Sequence, residues 1–579
     1  MMTTFRHLSR GLAAALCTAI LAACAADRAA DPAVAADLVL RGGRIATVDE
    51  LQPEAEAIAV RGDTIVAVGS NDEIAAYIGS ATRVLELDGM LAIPGFIEGH
   101  GHFTGIGNAK LQLDLMNVAN WDEVVAMVGA AARDAAPGSL IEGRGWHQEK
   151  WDRVPEGAVE GLPTHHSLSA VSPDNPVVLR HASGHASFAN AKAMEMAGIT
   201  KDTPDPSGGE IVRDAGGNPI GAFRETAAGL LGPATRNAER PDPRRVIELA
   251  TQEVLAKGIT SFQDAGSSFG TVERLKQMVD EGALGVRLYV MLRAAPDALA
   301  ERAAAGEIPL IGYGDDRLTV RAIKVTIDGA LGSHGAWLLE PYADMPESSG
   351  LNTSSLERLE QTARVAIENG LQLNVHAIGD RGNREVLDIY EKTFAAHPDR
   401  TDLRWRIEHA QHLSAQDIPR FGELGVIASM QGVHATSDGP WVYVRLGQRR
   451  AEEGAYVWQK LMKSGAVVIN GTDAPVEDVD PIASYYATVS RKLADGTVFF
   501  PDQRMSRLEA LKSYTLNAAY AAFEEDIKGS LVPGKLADIT VLSKDILTIP
   551  EDAIPSAEVV YTIVGGKVMY SKNEGAAGS

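Results

Sequence analysis

The chain has 579 residues, 45% of them hydrophobic and 23% charged, with a formal net charge of −23. That length exceeds what one hydrophobic core organises, so a large domain with at least one satellite is expected. The acidic excess, broken by no basic run, excludes nucleic-acid binding and points toward a small neutral or cationic substrate.

At the N-terminus, Arg6 and Arg10 precede a mostly apolar run from Gly11 to Ile20, followed by small residues. This is the pattern of an export signal, and the run is shorter than the roughly 20 residues a spanning helix needs. Leu21-Ala22-Ala23-Cys24 resembles a bacterial lipobox. It implies a lipoprotein signal peptide over 1–23, lipid on Cys24, a tether over 24–36, and a protein anchored in the cell envelope facing the periplasm; plain secretion is the alternative. Loss of Arg6 and Arg10 takes the formal charge from −23 to −25, so the lipid and not electrostatics would hold the chain to a membrane. The only two cysteines, Cys17 and Cys24, both lie here. The remainder therefore has no disulfide and no thiolate ligand, and any metal must be held by His and carboxylates.

From Asp37, ADLVLRGGRIATVD, AIAVRGDTIVAVG and TRVLELDGMLAIPG alternate apolar and polar residues between turn signals, as hairpins of a small β domain do. The same texture returns in GSLVPGKLADITVLSKD and VVYTIVGGKVMYS. The expectation is one composite β-sandwich assembled from both chain ends, 37–90 and 526–575, with a catalytic domain over 91–525 inserted between them. Within that insert, strand-like runs alternate with helical stretches such as SSLERLEQTARVAIENG, the βα repetition of a parallel sheet or barrel. The candidate strands are GFIEGH, PVVLRHA, ITSFQDA, RAIKVTID, LQLNVHA, LRWRIEHA, VIASMQ and VVINGTD. They predict an α/β fold, a (β/α)8 barrel. The stretch 105–175 is too long for a first crossover, since a βαβ unit takes about 30 residues. It is read as a lid-like insertion, with 202–223 as a second candidate.

Glu98, His100 and His102 share parity on the first strand and its extension, so they point to one side. A His-x-His alone is equally a pair of hydrogen-bonded loop histidines. Further along, Gln372, Asn374 and His376 face away from Leu371, Leu373 and Val375, a polar column costly to bury without partners. His409 follows Ile407, Asp473 follows Ile469 and Asn470, and Lys324 sits among Ile323, Val325 and Ile327, where a lysine is normally excluded. Each also has an ordinary explanation: a capped histidine, a helix N-cap aspartate, a lysine reaching solvent. Spacing favours the joint reading. Lys324 and His376 are 52 residues apart, His376 and His409 33, and His409 and Asp473 64, the last close to two βα units of about 30 with the strand VIASMQ between. That places them, with His100, at the C-terminal ends of strands one, four, five, six and eight, the active face of a barrel.

His100-x-His102 after PGFIEG, Lys324 in IKVTIDG, His376 in VHAIGD, His409 in RIEHAQ and Asp473 in GTDAP together resemble the metal-dependent amidohydrolase superfamily. GRGWHQEKW, RHASGHASFAN, GITSFQDAG and IDGALGSHGAWLLEPY are similar to its YtcJ-like branch (amidohydrolase family 3), which includes N-substituted formamide deformylase. The resemblance implies a distorted (β/α)8 TIM barrel with a composite β-sandwich. It also implies a CO2-carbamylated Lys324 as an anionic bridge between two zinc ions, one on His100, His102, Lys324 and Asp473, the other on Lys324, His376 and His409. An unmodified lysine implies a single ion. Asp473 would take the proton of the attacking water and pass it to the departing amine, and a metal-bound hydroxide would cleave a small N-acyl or N-formyl amine. Hydrolysis of an ester, lactone, carbamate or cyclic amide is the alternative, and a non-catalytic surface binding protein is another. His185, His334 and His434 are candidates for polarising the substrate carbonyl, and Trp146 for substrate contact, with packing as its alternative. Homodimers are common in the family, which suggests a homodimer by analogy. Glu98 and His147 depart from the family, where Asp and an acidic residue respectively are commoner.

Overall fold

The computed structural model describes residues 35–236, 238 and 240–573. Cys17, Cys24 and the expected signal peptide over 1–23 lie outside the described residues. No helix among the described residues is long and apolar enough to cross a membrane.

Eight parallel strands in chain order form the central sheet: Phe96–Gly101, Ile259–Ser267, Arg287–Leu292, Leu318–Thr326, Gln372–Ala377, Arg406–His409, Ile427–Gln431 and Val468–Gly471. The eighth returns to the first. Thr472 N donates to Glu98 Oε1 at 2.5 Å, Asp473 N to the His100 carbonyl at 2.8 Å, and His102 N to the Ala474 carbonyl at 2.7 Å. A Cβ at Gly99 would lie 2.4 Å from the Asn470 carbonyl oxygen, so this seam needs glycine there. The barrel floor is closed by the helix Leu516–Ala521, whose Ala518 and Ala521 carbonyls accept from Gln263 at 2.7 Å and Gln372 at 2.8 Å. Arg406 donates to the same Ala521 carbonyl.

One predicted strand is misplaced. PVVLRHA forms Val177–His181 in a separate sheet, and the third barrel strand is Arg287–Leu292, RLYVML. After Arg287 the strand is a five-residue apolar run buried on both faces, which carries no alternation, so periodicity does not separate it from a buried helix segment. Replacing one strand by another left Lys324 on strand four.

The separate sheet lies between barrel strands one and two, in the order Gly209–Arg213, Pro219–Glu225, Ala186–Ala189, Val177–His181, Ile141–Trp146, Leu113–Asp114. It extends well past residue 175, and the stretch 202–223 supplies its terminal hairpin. Its core is Trp121, Trp146, Leu179 and Phe188.

The two chain ends share one sheet, where Ile539–Leu542 pairs antiparallel with Leu91–Pro94. A second, four-stranded sheet packs on it through Leu38, Leu40, Ile58, Ile539 and Ile563. Ala36 is already buried here, donating to the Tyr77 carbonyl at 2.8 Å. A buried ion pair, Arg287 Nε to Asp538 Oδ2 at 2.8 Å, ties the sandwich to barrel strand three.

Candidate active site

The barrel's C-terminal end brings six predicted residues together. His100 is fully buried and its Nδ1 bonds to the Glu408 carboxylate, which turns Nε2 toward Lys324 Nζ at 3.3 Å and Asp473 Oδ1 at 3.5 Å. His102 Nε2 approaches the same Asp473 oxygen at 3.2 Å. The His409 ring lies 4.7 Å from that of His100 and 4.5 Å from that of His376. Its Nδ1 is 2.6 Å from Gln431 Oε1, an acceptor that fixes the proton on Nδ1 and frees Nε2 as a ligand. His376 Nε2 lies 3.5 Å from Asp328 Oδ1.

Ligand atoms of His100, His409 and Asp473 all lie within 4.8 Å of one another. This triple joins His409 to His100 and Asp473, across the division into two ligand sets that the resemblance implies. His376 Nε2 is buried without a hydrogen-bond partner, and Asp473 Oδ1 meets only the Nε2 atoms of His102 and His100. Buried nitrogen and oxygen donors gathered in this way fit a divalent ion such as zinc.

Backbone geometry makes the convergence possible. Neighbouring residues on a strand point to opposite faces, yet Glu408 and His409 both reach His100. His409 at φ 76°, Ala410 at 43° and Asp473 at 57° adopt left-handed conformations that kink the ends of strands six and eight. Such strain in non-glycine residues concentrates at functional sites.

The electrostatics suit ligation. Burial holds His100, His376 and His409 below the ordinary imidazole range, so they are neutral near pH 7. Burial also pulls the Lys324 amine down to about 8, against the opposing charge of Glu408. Burial pushes Asp473 up, but the His102 hydrogen bond and the surrounding imidazoles outweigh it and hold the carboxyl well below its usual range. Glu408, raised by burial and lowered more strongly by His100, Lys324 and Arg406, falls to about 2.

Two of the proposed helpers reach the centre. His185 lies 4.9 Å, ring to ring, from His376, with its Nδ1 2.8 Å from Glu225 Oε2. His434 stacks on His409 at 6.2 Å, and its Nε2 is buried without a partner. The other two expectations are corrected. His334 turns to Asp344 at 3.2 Å and packs on Tyr342, outside the lining of the site. Trp146 is fully buried, donates to the Leu179 carbonyl at 3.1 Å and packs on Phe188, so it builds the inserted sheet's core.

Glu408, Gln431 and Asp328 escaped the sequence reading. Asp328 accepts from Trp337, Ile378 and Gly379 N–H at 2.9, 3.0 and 2.7 Å and shapes the loop beyond strand five. The one signal for Glu408 was a carboxylate in a strand otherwise destined for burial.

The centre opens on two sides. A small pocket is lined by His147, His181, His185, His434 and Trp441, and a larger cleft by Arg144, Arg180, Arg293 and Glu225. Arg445 fastens the pocket's cover: it bonds Glu149 at 2.5 Å, the Gly332 carbonyl at 3.2 Å, and Asp344.

The sequence matches the amidohydrolase family over residues 83–570. It is 35% identical to Protein LONG AFTER FAR-RED 3 of Arabidopsis thaliana, across 93% of this chain and 92% of that one. It is 30% identical to the putative amidohydrolase YtcJ of Bacillus subtilis (strain 168), across 92% and 99%. It is 28% identical to the N-substituted formamide deformylase of Arthrobacter pascens, across 93% and 98%. Among solved structures, a metal-dependent hydrolase of Pyrococcus horikoshii OT3 superposes with a TM-score of 0.70 at 25% identity, covering 89% of this chain and 99% of that one. With a family match over most of its length and a barrel-end cluster of histidines and carboxylate, the chain belongs to the amidohydrolase family of metal-dependent hydrolases acting on carbon–nitrogen bonds.

Proposed function

We propose that this centre hydrolyses the non-peptide C–N bond of a small N-acyl or N-formyl amine, using zinc held by His100, His102, Lys324, His376, His409 and Asp473. The observation that carries the reading is the convergence of these residues at one barrel end, with His376 Nε2 left without a hydrogen-bond partner and the Asp473 carboxylate turned to the histidines. Similarity to a formamide deformylase supports the substrate class. A bound divalent ion would acidify water and polarise the carbonyl.

The chain supplies the rest. Glu408 and Gln431 hold the His100 and His409 rings in their tautomers. Asp473, ionised and facing the cluster, takes a proton from the attacking water and returns it to the departing nitrogen. His434 Nε2 and His185 are placed to orient the substrate carbonyl oxygen. Lys324, buried and lowered to about 8, has a neutral amine fraction able to add to CO2, and the resulting carbamate would accommodate a second ion. We also place the protein in the cell envelope, lipid-anchored through Cys24.

Metal analysis of the purified protein should find one to two zinc equivalents, with chelator-sensitive hydrolysis of N-formyl or N-acyl amines. Lys324→Ala should lower metal content and abolish that activity; full activity with full metal content would defeat the bridged centre.

A further inference from the structure

The whole chain is acidic, yet the larger cleft beside the catalytic centre is lined by Arg144, Arg180, Arg240, Arg274, Arg293 and Arg358. Two of them, Arg144 and Arg293, lie near enough to act on Asp473 and Lys324 by their charge, and Arg180 neighbours Arg144. Arg144 extends from the inserted sheet, and its guanidinium is set by the Pro475 carbonyl at 3.2 Å and the Ala182 carbonyl at 2.9 Å. These acceptors are neutral, so the orientation is fixed without an ion pair, and the charge is met only by Asp473 at longer range. Arg180 follows on the adjacent strand, near enough that its charge disfavours that of Arg144. Arg293 sits one residue beyond barrel strand three and is near enough to depress the Lys324 amine by its charge.

None of the three has an ion pair to a carboxylate among the described residues, in a chain with carboxylates to spare. Arginines elsewhere are paired, as Arg287 is with Asp538 and Arg224 is with Glu210 and Glu160. Burial disfavours the charge on Arg144 and on Arg293, and Arg180 repels Arg144, while Asp473 and Asp264 offset this only from beyond ion-pair distance; an oxyanion placed between the arginines offsets both costs. The guanidinium fork also matches carboxylate and phosphate geometry.

We propose that the substrate is an anion, an amide bearing a carboxylate or phosphate-type oxyanion that Arg144, Arg180 and Arg293 bind while the amide meets the catalytic centre. This deepens the amide-hydrolase reading and rests on it for the bond cleaved. It reverses the expectation drawn from net charge, because the field in a cleft is set by the groups lining it and distant surface charge is screened over about 8 Å at physiological salt.

The test uses the metal-loaded full-length enzyme and three inert probes, 3-phenylpropanoate, 3-phenylpropylphosphonate and 3-phenylpropanol, with binding measured by calorimetry. At least one anion should bind about tenfold or more tightly than the alcohol, as expected for hydrogen bonds to a charged group. Whichever anion binds more tightly identifies the oxyanion. Arg144→Gln and Arg293→Gln should each cut that preference several-fold, with metal content and alcohol binding unchanged. Equal binding of all three probes overturns the proposal. So does a preference that survives in the double variant, which would assign the anion to the metal centre itself. Hydrolysis of N-acetylphenylalanine and N-acetylphenethylamine reports separately on the chemistry. If neither is cleaved while the anion preference holds and depends on the arginines, the amide-hydrolase reading fails and the anionic cleft stands.

Discussion

The catalytic centre and the wall that covers it are held together by different means. His100, Glu408, His409, Gln431 and Asp473 stand on barrel strands or just beyond them, locked by hydrogen bonds across adjacent or closing strands. The covering wall is drawn from three long excursions: the inserted sheet, the loop after strand four, and the helix Gly432–Gly454 after strand seven. Arg445 bonds from the helix to both of the others, at Glu149 of the insertion and at Gly332 and Asp344 of the loop, while Arg449 and Arg450 tie the helix to Glu340 and Pro341 of the loop. The difference teaches where each property resides: chemistry on the rigid frame, substrate choice on insertions that vary without disturbing it.

Breaking the frame should have the largest effect. Asp473→Asn removes the proton acceptor and weakens ligation at the compact triple, so kcat should fall by roughly a thousandfold or more. Steady-state kinetics with metal analysis checks this; a loss below tenfold with metal retained would move the acid-base role elsewhere.

Breaking the wall should do less, and differently. Arg445→Ala releases Glu149, Gly332 and Asp344 at once, loosening the pocket while leaving the ligands in place. KM should rise on the order of tenfold, the scale of one charged hydrogen bond, with kcat changing little. A drop confined to kcat would instead couple this latch to the chemistry.

The same contrast explains what was legible in the sequence. Lys324, His376, His409 and Asp473 stood out because each interrupts an apolar strand, and because βα spacing returns such interruptions to one end of a barrel. Glu408 was hidden by its neighbour: alternation assigned it to the face opposite His409, and only the left-handed turn at His409 and Ala410 brings both inward. The wall was far less legible. Val177–His181 has the composition of a barrel strand, and only its pairing with Ala186–Ala189 shows that it belongs to the inserted sheet. Trp146 and His334 lie in motifs shared with the family, yet one fills a core and the other pairs with Asp344. The arginine-lined cleft left no mark on composition, because its members are dispersed from Arg144 to Arg358 and assemble only on folding.

The smallest expected effect on activity comes from Glu98, at the seam between strands one and eight. It is fully buried, Oε1 accepts from Thr472 N, and Oε2 has no partner. Burial, opposed by the bonds from Thr472, raises its carboxyl to about 8, so the folded protein holds it neutral where the unfolded chain ionises it near 4.5. Below 4.5 both states are protonated and stability is unaffected by this group. Between 4.5 and 8 only the unfolded state releases the proton, so stability falls as pH rises and the loss is complete above 8. Each tenfold difference in proton affinity between the two states is worth about 1.4 kcal/mol, which makes the penalty on the order of a few kcal/mol. Glu98→Gln keeps an acceptor for Thr472 N and has nothing to titrate. Its thermal stability relative to the parent should therefore rise from pH 5 to about pH 8 and level off by pH 9, while the hydrolytic chemistry persists. A constant difference across that range would mean Glu98 is already ionised in the folded protein, compensated by the ions bound beside it.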